Sequence, residues 1–138
     1  MSALHGRVAL VTGAGRGTGR CHCERLADQG ADIIALDVSA ADADLEQTAA
    51  VRQRGRRVAT GLADVGDFTA LAAAMDAGVA ELGRLDIVIA NAGIHTDSAP
   101  TWGITAESRQ RTLDVNLTGA WHNAMPPCGT LATMADRS

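Results

Sequence analysis

Two residue types are missing from this sequence. It contains no tyrosine, and all twelve of its basic residues are arginine, so it contains no lysine. The second absence excludes the nucleotide-binding loop built on Gly-Lys-Ser/Thr, whose ammonium reaches the outer phosphates. Positive charge is short as well: the formal net charge of -4 offers no basic footprint for nucleic acid. No apolar run approaches the roughly 20 residues of a membrane span, and residues 1–7 carry no apolar signal-peptide core. These absences point to a cytoplasmic protein with neither a membrane nor a nucleic-acid partner. Cysteine numbers only three. Cys21 and Cys23 flank His22, which at first sight suggests a metal site. On a helix, however, neighbouring side chains diverge by about 100° and do not converge on one ion. No metal is expected, and Cys23 reads as a small buried thiol.

What is present is an alternation of short apolar runs and helical stretches, the pattern of β-α-β units. The length of 138 residues fits one domain. Residues 7–12 form a first strand, apolar throughout, as a strand buried on both faces should be. A glycine loop runs from Gly13 to Gly19, and Gly19, Cys23, Leu26, Ala27 and Gly30 share one face of the helix that follows. Residues 31–37 form strand two, 42–54 a weaker polar helix ending at Gly55, and 57–64 strand three. Phe68, Leu71, Ala72, Met75, Val79 and Leu82 make an i, i+3, i+4, i+7 stripe, with Asp67 in its first turn and Gly83 at its exit. Gly78 inside it costs about 1 kcal/mol against alanine. Residues 85–90 form strand four, and a last helix starts near Thr105 with Leu113, Leu117 and Ala120 on one face. The fold class expected is α/β: a Rossmann-type parallel sheet in three layers, with four strands in the order 3-2-1-4.

The chemistry lies at the strand ends. The loop Thr12-Gly13-Ala14-Gly15-Arg16-Gly17-Thr18-Gly19 sits between a buried strand and a helix N-terminus. Free first-turn N–H groups and the helix dipole favour an anion there, and glycine lets the backbone approach a pyrophosphate. The spacing G-x-G-x-x-G, begun at Gly13, would need glycine where Thr18 stands; Thr-Gly-x-x-x-Gly-x-Gly is what fits. Asp37 ends strand two, near the usual distance of about 20 residues beyond the loop, where a carboxylate accepts from ribose hydroxyls and repels a 2′-phosphate. Asp64-Val65 ends strand three, placing a carboxylate near an adenine amine. Asn91-Ala92-Gly93 ends strand four. Asn116 lies in a helix interior, and if buried its amide needs partners, which implies a polar network.

These five motifs, in this order and spacing from about residue 7 to Trp121, resemble the short-chain dehydrogenase/reductase family. The resemblance implies that Gly13, Gly17 and Gly19, with the intervening Gly15, Arg16 and Thr18, carry the phosphates of NAD. It implies that Asp37 selects NAD over NADP, that Asp64 and Val65 hold adenine, and that Asn91, Ala92 and Gly93 tie the sheet centre beside the cofactor. Asn116 would be the asparagine of the Asn-Ser-Tyr-Lys tetrad, its carbonyl positioning a relay water. The reaction implied is hydride transfer between an alcohol or ketone and NAD, in a family of homo-oligomers. The stretch from Gly13 to Arg20 followed by His22, with Asn116-Leu-Thr-Gly-Ala-Trp121, resembles the carveol-dehydrogenase-like, mycofactocin-associated branch. That implies a hydrophobic secondary alcohol such as a terpenoid.

The sequence also departs from the family. The catalytic serine and the Tyr-x-x-x-Lys pair have no counterpart, and related sequences place tryptophan where Arg109 stands. The family's helix continues past Trp121, whereas here it meets Pro126-Pro127. The expectation is a half-domain over residues 1–122 that binds NAD, an irregular tail over 123–138 produced by frameshift or truncation, and no catalysis by the chain itself. A non-catalytic nucleotide-binding remnant is compatible with the composition. An S-adenosylmethionine methyltransferase also pairs a glycine loop with an acid after strand two, but an acidic residue usually precedes that loop, where Val11-Thr12 stand.

Overall fold

The computed structural model describes residues 2–39, 45–96 and 98–125. Four parallel strands, β1 (Val8–Thr12), β2 (Asp32–Asp37), β3 (Val58–Leu62) and β4 (Ile87–Ile89), lie in the order β3-β2-β1-β4. In the register, Leu10 faces Ile34 on one side and Val88 on the other. Among the described residues five α-helices accompany them: α1 (Gly17–Asp28), α2 (Leu45–Ala49), α3 (Phe68–Leu82), α4 (Ala106–Leu113) and α5 (Gly119–Asn123). The strand order is the one expected.

Alternation along the strands divides the core in two. Leu10, Ile34 and Leu36 point to the face covered by Leu71, Met75 and Val79 of α3. Ala9, Val11, Ile33 and Ala35 point to the opposite face, which Cys23 and Ala27 of α1 cover. The apolar stripe of α3 places it as the periodicity predicts. Asp67 caps it by accepting from the Ala70 N–H at 3.1 Å, and Gly83 ends it with φ of 89°. Gly78 has a packing reason: a Cβ there would lie 2.6 Å from Cγ2 of Ile34, so only glycine lets this helix settle on β2.

Beneath the sheet, at the N-terminal ends of β1 and β4, Asp86 gathers several donors. It accepts from the Val8 N–H at 2.9 Å and from Arg7 at 3.1 Å, and it pairs with Arg84. Burial alone would push this carboxyl up. The Arg84 hydrogen bond, the Val8 N–H and Arg7 outweigh it and hold the group down to about 2.

Three expectations change. The second helix is a short α-helix, Leu45–Ala49, finished by a 3-10 turn, Ala50–Arg54, with Gly55 left-handed at its end as predicted; residues 42–44 lie outside the described residues. β4 is shorter than expected, with three paired residues, Ile87–Ile89. The last helix is interrupted by a π turn, Asp114–Thr118. Val115, Gly119 and His122 are buried, whereas Leu117 is 66% exposed and Ala120 is exposed too. The expected Leu113–Leu117–Ala120 face is therefore not the buried one.

Cys23 is buried, and burial pushes its thiol up to about 12; Cys21 is exposed. Among the described residues no acidic, histidine and cysteine cluster could hold a metal, and no helix is long and apolar enough to cross a membrane. The proline pair, Cys128 and the tail from residue 126 onward lie outside the described residues.

Candidate nucleotide-binding cleft

β1 ends at Thr12, and the chain must then climb over the sheet edge to start α1. The loop is tied to the end of β2 on the way. The Ala14 N–H donates to the Leu36 carbonyl at 3.0 Å, and the Gly15 N–H donates to Asp37 Oδ2 at 2.9 Å. Asp37 Oδ1 accepts from the Val38 N–H at 2.7 Å. The carboxylate is thereby oriented while both oxygens keep acceptor capacity.

α1 starts without help from side chains. Arg16 at the cap position is extended, makes no side-chain capping bond, and no acidic residue stands in the first turn. Its first N–H groups and the positive end of its dipole are left to an anion. Gly17 opens the helix at φ of 54°. Gly19 is the tightest position: a Cβ there would lie 1.9 Å from the Gly13 carbonyl oxygen and 2.7 Å from the Asn91 amide nitrogen. The first turn of α1 can lie this low over the loop only without a side chain.

The end of β4 closes the floor. The Asn91 amide donates to the Thr12 and Gly13 carbonyls at 3.1 and 3.3 Å. The Thr12 hydroxyl accepts from the Ala92 N–H at 3.3 Å and donates to the Ile89 carbonyl at 3.5 Å. Beyond Gly93, Asn116 meets Ile94 on both sides of its amide, accepting from the Ile94 N–H at 2.8 Å and donating to its carbonyl at 2.9 Å. Asn116 is exposed, which corrects the buried position considered from sequence. It lies within the π turn, and its amide partners are the backbone groups of Ile94.

These elements enclose a cleft of about 440 Å³. It brings together Gly13, Arg16, Thr18, Gly19 and Asp37 from the first half of the chain with Asn91, Ala92 and Gly93, which follow β4. Gly15 and Thr12 are buried under the floor, and Gly17 stands at the helix start. Val38, Ile94 and Val115 also line the cleft, although the sequence did not single them out. Each is an apolar residue next to a motif, and nothing local distinguishes it from a core residue.

Asp64 and Val65 sit at the end of β3, outside that lining. Asp64 accepts from the Gly66 N–H at 2.8 Å and from Arg111 of α4 at 2.6 Å. Burial pushes its carboxyl up, but the Arg111 hydrogen bond, the Gly66 N–H and the Arg111 charge together hold it below the ordinary carboxylate range. Val65 is buried, and its carbonyl lies 2.7 Å from Nδ1 of the buried His122. Sequence reading missed Arg111 and His122, whose partners lie 47 and 57 positions away.

Residues 7–126 match the family model for short chain dehydrogenase. (-)-trans-Carveol dehydrogenase of Rhodococcus erythropolis is 43% identical over 136 residues, which is 90% of this chain and 49% of the relative. An uncharacterized NAD-dependent oxidoreductase of Mycobacterium tuberculosis (strain CDC 1551 / Oshkosh) is 44% identical over 131 residues, 86% of this chain and 47% of its own length. The crystal structure of carveol dehydrogenase from Mycobacterium avium in complex with NAD superposes with a TM-score of 0.87 at 40% identity. It covers 99% of this chain and 52% of that one. The chain thus spans about half the length of the curated relatives it matches.

Proposed function

The chain belongs to the short-chain dehydrogenase family, and on that premise we propose that residues 1–122 form the NAD-binding half of an alcohol–ketone oxidoreductase. One observation carries the reading. The loop that presents uncapped helix amides also clasps the Asp37 carboxylate, and both line one cleft. The residues fit the group: a pyrophosphate suits the cradle left by Gly19 and the amides of α1, and Asp37 suits the vicinal hydroxyls of an adenosine ribose. A 2′-phosphate would set two negative groups together in a partly dry crevice, where their repulsion is weakly screened. Asp64 is the proposed adenine contact, with Val65 supporting it; Asn91, Ala92 and Gly93 form the wall beside the cofactor, and Asn116 belongs to the catalytic group of the family. Bound NAD would supply the hydride acceptor for a secondary alcohol. The relatives named for carveol support a hydrophobic substrate of terpenoid type.

A second reading, nucleotide binding without turnover, is favoured by composition: a chain with neither tyrosine nor lysine holds no phenol–ammonium pair for proton transfer. Titrating NADH, NADPH and S-adenosylmethionine into the chain tests the binding reading. NADH should bind best, and Asp37→Ala should weaken it about tenfold, the loss of one charge-assisted hydrogen-bonding group. Equal affinity for NADH and NADPH in the parent chain would remove Asp37 from its role. NAD with a panel of secondary alcohols should give no NADH absorbance; turnover that survives repurification would overturn the second reading.

A further inference from the structure

The peptide unit that joins Ala14 to Gly15 is gripped at both ends. Its N–H, on Gly15, donates to Asp37 Oδ2 at 2.9 Å. Its C=O, on Ala14, accepts from the hydroxyl of Thr48 at 2.7 Å. In a trans peptide the two groups point in opposite directions from one rigid plane, so the pair of bonds holds the plane against rotation. Thr48 comes from α2, on the buried stripe Leu45, Thr48, Ala49, and is itself fully buried. A buried carbonyl without its donor is costly, and a plane free to turn no longer aims the Gly15 N–H at Asp37.

We propose that Thr48 is a positioning residue for the nucleotide: by holding the Ala14 carbonyl it aims the Gly15 N–H that orients the Asp37 carboxylate. This rests on the NAD-binding reading above. It follows that Thr48, which is not among the residues lining the cleft, influences both affinity for NAD and discrimination against a 2′-phosphate. A residue that only filled space on α2 would influence stability alone.

The test uses the whole chain and three variants, each held at a temperature where circular dichroism shows it folded. NADH and NADPH are titrated by fluorescence, and exchange of the Gly15 amide is followed by NMR. Thr48→Val keeps the shape and removes the hydroxyl. It should lose about tenfold in NADH affinity, the scale of one hydrogen bond, narrow the NADH-to-NADPH ratio, and speed Gly15 exchange about tenfold. Thr48→Ser keeps the hydroxyl and should stay within about twofold of the parent in all three. Thr48→Cys, a weak donor of similar size, should fall between them and decides the matter if Thr48→Val does not fold. Parent-like affinity, ratio and Gly15 exchange in Thr48→Val or, failing that, Thr48→Cys would overturn the proposal. A folded parent that binds no NADH would overturn the NAD reading instead, and Gly15 exchange would still report the grip of Thr48.

Discussion

α3 and the α4–α5 segment lie on the same face of the sheet but are held there by different forces. α3 buries Leu71, Met75, Gly78, Val79 and Leu82 against the central strands. α4 buries no residue at all. What fixes the later segment is Val115 together with polar ties to strand ends: Arg111 to Asp64, Asn116 to Ile94 and His122 to the Val65 carbonyl. Its larger apolar side chains, Leu117 and Trp121, are 66% and 61% exposed. A helix packed by its apolar stripe is placed by area removed from water, which is insensitive to direction. A segment tied to strand ends is placed largely by hydrogen bonds, which are directional and individually modest.

Truncation gives the largest contrast. Met75→Ala, at a fully buried position, should cost about 3 kcal/mol in urea denaturation, whereas Leu117→Ala should change stability by less than about 0.5 kcal/mol. Equal losses would break the distinction between the two helices.

Acid should separate them further. Asp86 is held down to about 2, below the unfolded carboxylate near 3.9. A depressed carboxyl stabilises the fold fully above its unfolded pKa and loses that contribution as pH falls toward the folded value. The loss should therefore run from about pH 4 to about pH 2, and Asp86→Asn should remove about 1 kcal/mol above that window and flatten the slope within it. Asp64 is depressed as well, through Arg111 and the Gly66 N–H, and the Arg111 bond is its tie to the later segment. On acidification the His122 amide should exchange before that of Met75; simultaneous opening would show one cooperative unit.

Removing the ion pair directly is a smaller perturbation. Arg111→Met should lower stability by about 1 kcal/mol or less, because both side chains are partly exposed. The loss should shrink in high salt and leave exchange of the Met75 amide unchanged. Salt independence would assign the effect to packing of the arginine stem instead.

The smallest effect on the fold itself should come from the uncovered edge. Among the described residues β4 pairs only with β1, Val88 is 38% exposed, and Leu117 is 66% exposed. Such an edge favours self-association. Val88→Lys with Leu117→Lys should shift sedimentation toward monomer while NADH affinity moves less than twofold. A parent that sediments as monomer at every concentration would contradict the reading of that edge.

The same division marks what could be read from the sequence. The glycine loop, Asp37 and α3 with its Asp67 and Gly83 caps were legible because each is a local signal: a turn chemistry, a periodicity, a cap. Asn116 was singled out correctly as needing partners, but its exposure was not foreseen. The Leu113–Leu117–Ala120 face was misread because the buried residues Val115, Gly119 and His122 repeat the same i, i+4, i+7 spacing two positions later, and periodicity alone does not choose between the two faces. Thr48 carried a faint signal, a polar residue in an apolar stripe, but its partner lies 34 positions earlier.

By itself, then, the sequence determined the order of the elements, the strand order through the motifs of a Rossmann-type sheet, and the loop that leaves helix amides uncapped. These follow from short-range sterics, hydrogen bonding and side-chain periodicity, which act over a few residues. Only the tertiary structure decided that Asp64 pairs with Arg111, that Thr48 grips the Ala14 carbonyl, and that Gly19 is pressed against the Gly13 carbonyl. Each of these joins groups brought together by packing, and their separation along the chain carries no information about their distance in space.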